Sequence, residues 1–210
     1  MVSLCKSLRW NPAVRTDRKP GRKTGGRGGP AAAEEKGDHV MKEKINTADY
    51  ACQITAGLSK GILLNTQADK FNTMVIGWGH LGRLWNKMTF VVYVRQSRFT
   101  KEQIEKNGSF TISCFLEEPD PKIFKVCGTQ SGRDIDKVSE AGLTLEEAQM
   151  NGVPGIKEYP LTIECKVLYS QDQVLEKIPA DSLDRFYAGE ESSDYHTMYV
   201  GEILDSYIIR

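Results

Sequence analysis

The chain has 210 residues with 28 basic and 28 acidic side chains, but residues 1–40 carry net +5 and the remainder net −5. A mildly acidic body of this length buries a full core as one domain and is a poor electrostatic match for nucleic acid. Its three histidines lack metal-ligand spacing, its five cysteines contain no CxxC pair, and no apolar run approaches the ~20 residues of a membrane helix. These features predict no metal site, free thiols in the reducing cytoplasm, and no membrane or nucleic-acid partner.

Residues 11–40 are rich in Pro, Gly, Arg, Lys and Ala, cannot bury enough apolar surface to offset ordering, and are expected to be disordered. They read as an organelle transit peptide, as a basic anchor for an acidic partner, or as sequence upstream of a start at Met41; the last is favoured. From Met41 the pattern is that of a folded domain. KGILLNT (60–66) and FNTMVIGW (71–78) are strand-like runs on either side of a polar turn and predict a hairpin, followed by a glycine-punctuated loop over 79–87. MTFVVYV (88–94) has the β-branched and aromatic content of a buried strand. A short helix is expected over 100–106, with Thr100 and Gln103 as a capping box. A strand over 110–115 and a brief helix over 121–126 come next, and the NGS triplet at 107–109 reads as a turn. LTIECKVLY (161–169) alternates at period two, with Leu161, Ile163, Cys165 and Val167 on one face, and a last strand covers 198–209. Cys114 and Cys165 fall in these apolar runs as small buried hydrophobes. Six strands joined by short loops and short helices, without a βαβ repeat, predict a mainly β antiparallel barrel.

Two clusters carry chemistry. RQSRFT (95–100) brings two guanidiniums and two hydroxyls to a helix start, where outward N–H groups and the helix dipole favour an anion and arginine forks match phosphate oxygens. GTQSGRDIDK (128–137) lets backbone approach an anion around Ser131 and Gly132, with Arg133 and Lys137 as positive charge. Taken singly, the first is equally a capped surface helix and the second an ordinary helix start capped by Ser131. One phosphate-sized partner accounts for both. Neither cluster, nor GRKTGGRGG (21–29), matches a Walker A or dinucleotide fingerprint.

FNTMVIGWGHLGRLWNK (71–87), YVRQSRFTKEQIEKN (93–107), CGTQSGRDIDKV (127–138), LTIECKVLY (161–169) and DYHTMYVGEIL (194–204) together resemble the flavin reductase-like proteins, which include flavoredoxin. The resemblance spans about residue 60 to the C-terminus and implies a six-stranded Greek-key FMN-binding split barrel, usually a homodimer, with noncovalent FMN near the subunit interface. Carried over to this chain, it implies that Asn72, Thr73, Met74 and Trp78 line the ring. Arg95, Ser97, Arg98 and Thr100 hold the phosphate, Ser131, Gly132 and Lys137 close over it, and His196 and Tyr199 lie near the ring or the dimer partner. Met88 and Gln96 depart from the family pattern without removing a charged ligand. On residue type alone, Met74, Trp78 and Trp85 also fit core or interface packing, and His196 fits a packing histidine.

The resemblance implies an FMN-dependent oxidoreductase moving electrons from NADH or NADPH to free flavin or another small acceptor. Such chemistry needs no protein nucleophile, and none is legible. The alternative on the same site is a non-enzymatic FMN electron carrier reduced by another redox protein. A third class, a barrel binding single-stranded nucleic acid through the basic tail and aromatics such as Trp78 and Phe99, is disfavoured by the acidic body.

Overall fold

The computed structural model describes residues 40–189 and 194–210, so the reading of residues 11–40 as disordered lies, but for Val40, outside the described residues. The short strand β1 (Lys42–Lys44) opens the chain. Asn46 caps a 3₁₀ turn by accepting from the Ala48 N–H, and this turn leads into α1 (Ala51–Lys60), which buries Ile54, Gly57 and Leu58. Helix α1 lies outside the sequence-based expectations. It stops at Gly61, whose φ of 92° and contact with Phe124 and Val75 leave no room for a side chain.

All six expected strands form. β2 (Ile62–Gln67) and β3 (Phe71–Ile76) make the expected hairpin, in register from Ile62 opposite Ile76 to Gln67 opposite Phe71. β5 (Lys87–Arg95), β6 (Ser109–Cys114), β9 (Leu161–Asp172) and β10 (His196–Ile209) complete the set. Residues 79–84, expected as loop, instead form β4 (Gly79–Leu84), which pairs along β5 through a two-residue turn at Trp85 and Asn86 with φ of 49° and 59°. Two successive positive φ values match the strand twist of a tight hairpin, and the low strand propensity of Gly79 and Gly82 hides β4 in the sequence. One antiparallel sheet runs β3-β2-β6-β9-β10-β5-β4, with β1 added on β10. The result is the mainly β antiparallel architecture expected, with β1 and β4 joined to the six strands.

Helix α2 (Phe99–Asn107) forms where expected, but the capping box does not. Arg98 holds the N-cap position without a side-chain bond, while Thr100 and Gln103 are buried and spend their polar groups on tertiary partners: Thr100 Oγ1 accepts from Asn72 Nδ2, and Gln103 Oε1 accepts from the Ala68 N–H. α3 (Pro121–Thr129) is capped by Asp120, with Pro121 at its first position. Ser131 does not start a helix: its hydroxyl accepts from the Arg133 N–H in a turn, and α4 (Lys137–Ala141) begins later, capped by Asp136. A small hairpin, β7 (Leu145–Glu146) with β8 (Gly155–Ile156), precedes β9, and α5 (Ala180–Phe186) precedes β10. Among the described residues no helix is long and apolar enough to cross a membrane.

The core gathers Leu64, Phe90, Val92, Phe110, Ile112, Leu161, Ile163 and Cys165, all fully buried. Cys114 and Cys165 are buried as expected, and burial pushes the Cys114 thiol up to about 12. Gly201 sits at a register shift in β10, where an added Cβ would lie 2.5 Å from the Phe110 ring and 2.9 Å from Cys165. The simple alternation expected for β9 fails, because Leu161 to Cys165 are buried on both faces. The second face is covered by the 149–153 loop, held by Glu164: its carboxylate accepts from the N–H groups of Gln149, Met150 and Asn151 at 2.6–2.9 Å and from the Tyr207 hydroxyl at 2.8 Å.

Removing that carboxylate strands three N–H donors and a tyrosine hydroxyl in a site where Glu164 is 0% exposed. Glu164→Ala is expected to lower unfolding free energy by about 3–5 kcal/mol, and Glu164→Gln by less, as read by urea denaturation. Equal, near-zero changes would show the loop is held by other contacts.

Candidate functional site

Strand parity builds the site. In β3, Asn72 and Met74 share a face and Thr73 takes the other. In the β5–β10 pair, Arg95 lies opposite His196 and Tyr93 opposite Met198. These faces and the two loops at 95–100 and 127–137 line two adjoining clefts, of about 140 Å³ and 180 Å³, that share Met74, Val75 and Arg98.

The first cleft brings together Asn72, Met74, Ser97, Arg98, Thr100, Ser131, Gly132 and Lys137. Lys137, first residue of α4, is 6% exposed; its ammonium donates to the carbonyls of Thr73 at 2.8 Å and Cys127 at 3.2 Å, tying α4 to strand β3 at the end of the sheet. Burial draws its pKa down to about 8, and the nearby Arg98 charge adds to this. Asn72 is buried with its Nδ2 given to Thr100, while its Oδ1 has no partner among the described residues. Gly132 presses on that oxygen so closely that an added Cβ would sit 1.9 Å away. A glycine is required there. Arg133 spans the cleft, donating to the Ser97 carbonyl at 3.0 Å, pairing with Glu102 and stacking over Phe99.

The second cleft holds Met74, Trp78, Tyr93, Arg95, Arg98 and His196. Trp78 remains 38% exposed, with its ring 4.6 Å from His196 and edge-on to Phe186 at 5.1 Å. The Tyr187 hydroxyl lies 2.7 Å from both Gln173 Oε1 and His196 Nδ1. Its one proton goes to the Gln173 acceptor, so Nδ1 of His196 carries a proton and Nε2 is left as an acceptor. Burial, with Arg95 alongside, brings the imidazole down to about 4, so it is neutral at physiological pH. The expectation of a hydrogen-bonded packing histidine fits this geometry, and the residue also reaches the cleft.

Four expected site residues are used differently. Thr73 does not line either cleft: its hydroxyl donates to Asn65 Oδ1 at 2.8 Å, and only its carbonyl contributes, through Lys137. Tyr199, three residues from His196, falls on the opposite face of β10, is 2% exposed, and points its hydroxyl toward Glu105. Arg95 donates to the carbonyls of Asp194 and Phe186 and stacks over Tyr187, so it fastens the chain on either side of residues 190–193 beside the cleft. Ser97 gives its N–H and hydroxyl to the Asp194 carboxylate at 2.8 and 2.7 Å. Asp194 thus supplies the anion at this helix start, which no local pattern signals because the partners are 97 residues apart. Period-two counting alone separates His196 from Tyr199 and Asn72 from Thr73; nothing local singles out Val75, Gln130 or Tyr93, which also line the clefts.

The model of the flavin reductase like domain matches residues 58–210. An uncharacterized protein of Archaeoglobus fulgidus is 28% identical over 165 residues, covering 79% of this chain and 78% of that protein. Among solved structures, flavoredoxin of Desulfovibrio vulgaris (Miyazaki F) aligns with a TM-score of 0.53 at 23% identity, over 70% of this chain and 68% of its own. An FMN-binding domain of flavin reductases-like enzyme from Shewanella baltica aligns at 0.57 and 17% identity, over 80% and 78%. These two share the fold, and with the domain match spanning most of the sequence and both clefts, the chain belongs to the flavin reductase-like family.

Proposed function

We propose that this protein is an FMN-dependent oxidoreductase that accepts electrons from NADH or NADPH and passes them to free flavin or another small acceptor. One observation supports it above others: a buried lysine, a glycine-tight turn and an unpartnered amide oxygen meet at one end of a continuous cleft whose other end is walled by an indole and a neutral imidazole. That donor set fits a phosphorylated, hydroxyl-bearing chain joined to a flat ring. Lys137 and Arg98 would balance the phosphate dianion, with the backbone at Ser131 and Gly132 close enough to follow it. Asn72 Oδ1 would accept from a hydroxyl of the linking chain, which would end its isolation. Met74 and Trp78 would flank the ring, and His196, uncharged, would offer Nε2 as an acceptor without adding positive charge.

Bound there, FMN would supply the redox chemistry, so the chain need provide only binding, orientation and control of water. The cleft-lining residues of the two loops and both strands would serve those ends. A homodimer with the flavin near its interface belongs to the same proposal. The similarity to a flavoredoxin favours a second reading on the same site, a protein that carries electrons from a redox partner without using a nicotinamide.

Purified protein reconstituted with FMN is expected to be yellow and to bleach anaerobically on adding NADH or NADPH. Retained colour with nicotinamides, but rapid bleaching by a reduced ferredoxin, selects the carrier; failure to bind FMN removes both. Because Lys137 titrates near 8, it is charged below that pH and neutral above it, so FMN affinity is expected to fall as pH rises through about 8. Lys137→Met should weaken FMN by about tenfold to hundredfold at pH 7, the value of a charged hydrogen bond, and flatten this pH dependence, as measured by fluorescence titration.

A further inference from the structure

The same cleft carries a selection device at its rim. Lys137 forms the floor, with its ammonium turned to the Thr73 and Cys127 carbonyls. Arg133 lies on the solvent side, its side chain 42% exposed, and reaches from the 128–137 loop to the facing wall. There it donates to the Ser97 carbonyl at 3.0 Å and pairs with Glu102, with its guanidinium 5.4 Å over the Phe99 ring. The two loops are therefore bridged across the mouth of the phosphate end. A phosphomonoester held at Lys137 would end inside the bridge. A flavin whose phosphate continues into a second phosphate and a nucleoside has to leave through the mouth, and must first part Arg133 from Ser97 and Glu102.

We infer that Arg133 is a specificity-determining clasp that admits a flavin monophosphate and disfavours a flavin dinucleotide. This rests on the proposed FMN site. The exclusion does not come from charge: a guanidinium attracts both ligands, and the dinucleotide carries an additional phosphate group. It comes from geometry: the longer ligand parts Arg133 from Ser97 and Glu102, one of these a charged hydrogen bond to a backbone carbonyl, and regains only part of that with its own phosphates, for about tenfold in relative affinity. Glu102 is the positioning partner, since on α2 it fixes the guanidinium over Phe99 rather than letting it swing into solvent.

The test is fluorescence titration of FMN, FAD and riboflavin into the ligand-stripped full chain and its Arg133→Ala and Glu102→Gln variants. The unaltered protein is expected to prefer FMN over FAD at least tenfold. Arg133→Ala should bring that ratio within about threefold chiefly by tightening FAD relative to FMN, and Glu102→Gln should move it the same way while keeping the arginine charge. Equal binding of FMN and FAD by the unaltered protein, or parallel weakening of both ligands in Arg133→Ala with the ratio unchanged, overturns the clasp while leaving the flavin site standing. Binding of none of the three flavins by the unaltered protein overturns the site itself, and the clasp with it.

Discussion

The pairing of β10 with β5 on one side and β9 on the other is the constraint on which the remaining structure depends. Its first half sets His196 opposite Arg95, and so brings one wall of the second cleft against the strand end that leads into the 95–100 loop. Its second half pairs with the strand bearing Glu164 and delivers the Tyr207 hydroxyl to that carboxylate. The two halves differ in register because the strand shifts at Gly201, where the Phe110 ring occupies the space a side chain would need. A bulge of this kind re-aims the strand. Burial of Phe110 and Cys165 at the bulge thus couples core packing to the direction in which the site residues emerge.

Many buried polar groups are satisfied within the fold, and three side-chain atoms among the described residues, Asn72 Oδ1, Gln103 Nε2 and the Tyr159 hydroxyl, are not. Glu164 is surrounded by donors, and Thr100 Oγ1 and Gln103 Oε1 have exchanged a local cap for long-range contacts, so these atoms define the fold. Asn72 Oδ1, by contrast, is buried within the cleft without a donor, beside a lysine whose charge is discouraged by burial. An orphaned acceptor and a poorly solvated cation lie in one cleft, and a ligand presenting both a hydroxyl and an anion relieves both costs at once.

Asp194 gives the site a different character from that of a simple anion cradle. It takes the Ser97 donors, and Arg95 holds the backbone on the same side, so part of the positive potential expected for a phosphate is used to dock the chain next to the ring cleft. In the proposed site a phosphate would face Lys137 below and Arg98 at the junction of the clefts. Of the residues read as one anion site in the sequence, Arg95 and Ser97 therefore dock the chain at Asp194.

What the sequence by itself determined were the features that depend on neighbours along the chain. The six principal strands, the β2–β3 hairpin, the short helices and the buried thiols follow from periodicity and composition. The pairing of two distant basic clusters around one cleft followed from their shared chemistry and the family resemblance. Only the tertiary structure decided the rest, because it depends on which surfaces meet. A glycine-bearing segment became β4 because β5 offered it an edge, and Thr100 and Gln103 gave up capping because burial demanded other partners. Glu164 turned inward because a loop brought it three N–H groups, and Ser97 bonded to a carboxylate 97 residues away. Hydrogen-bond satisfaction is settled after packing, between groups whose proximity no local pattern encodes.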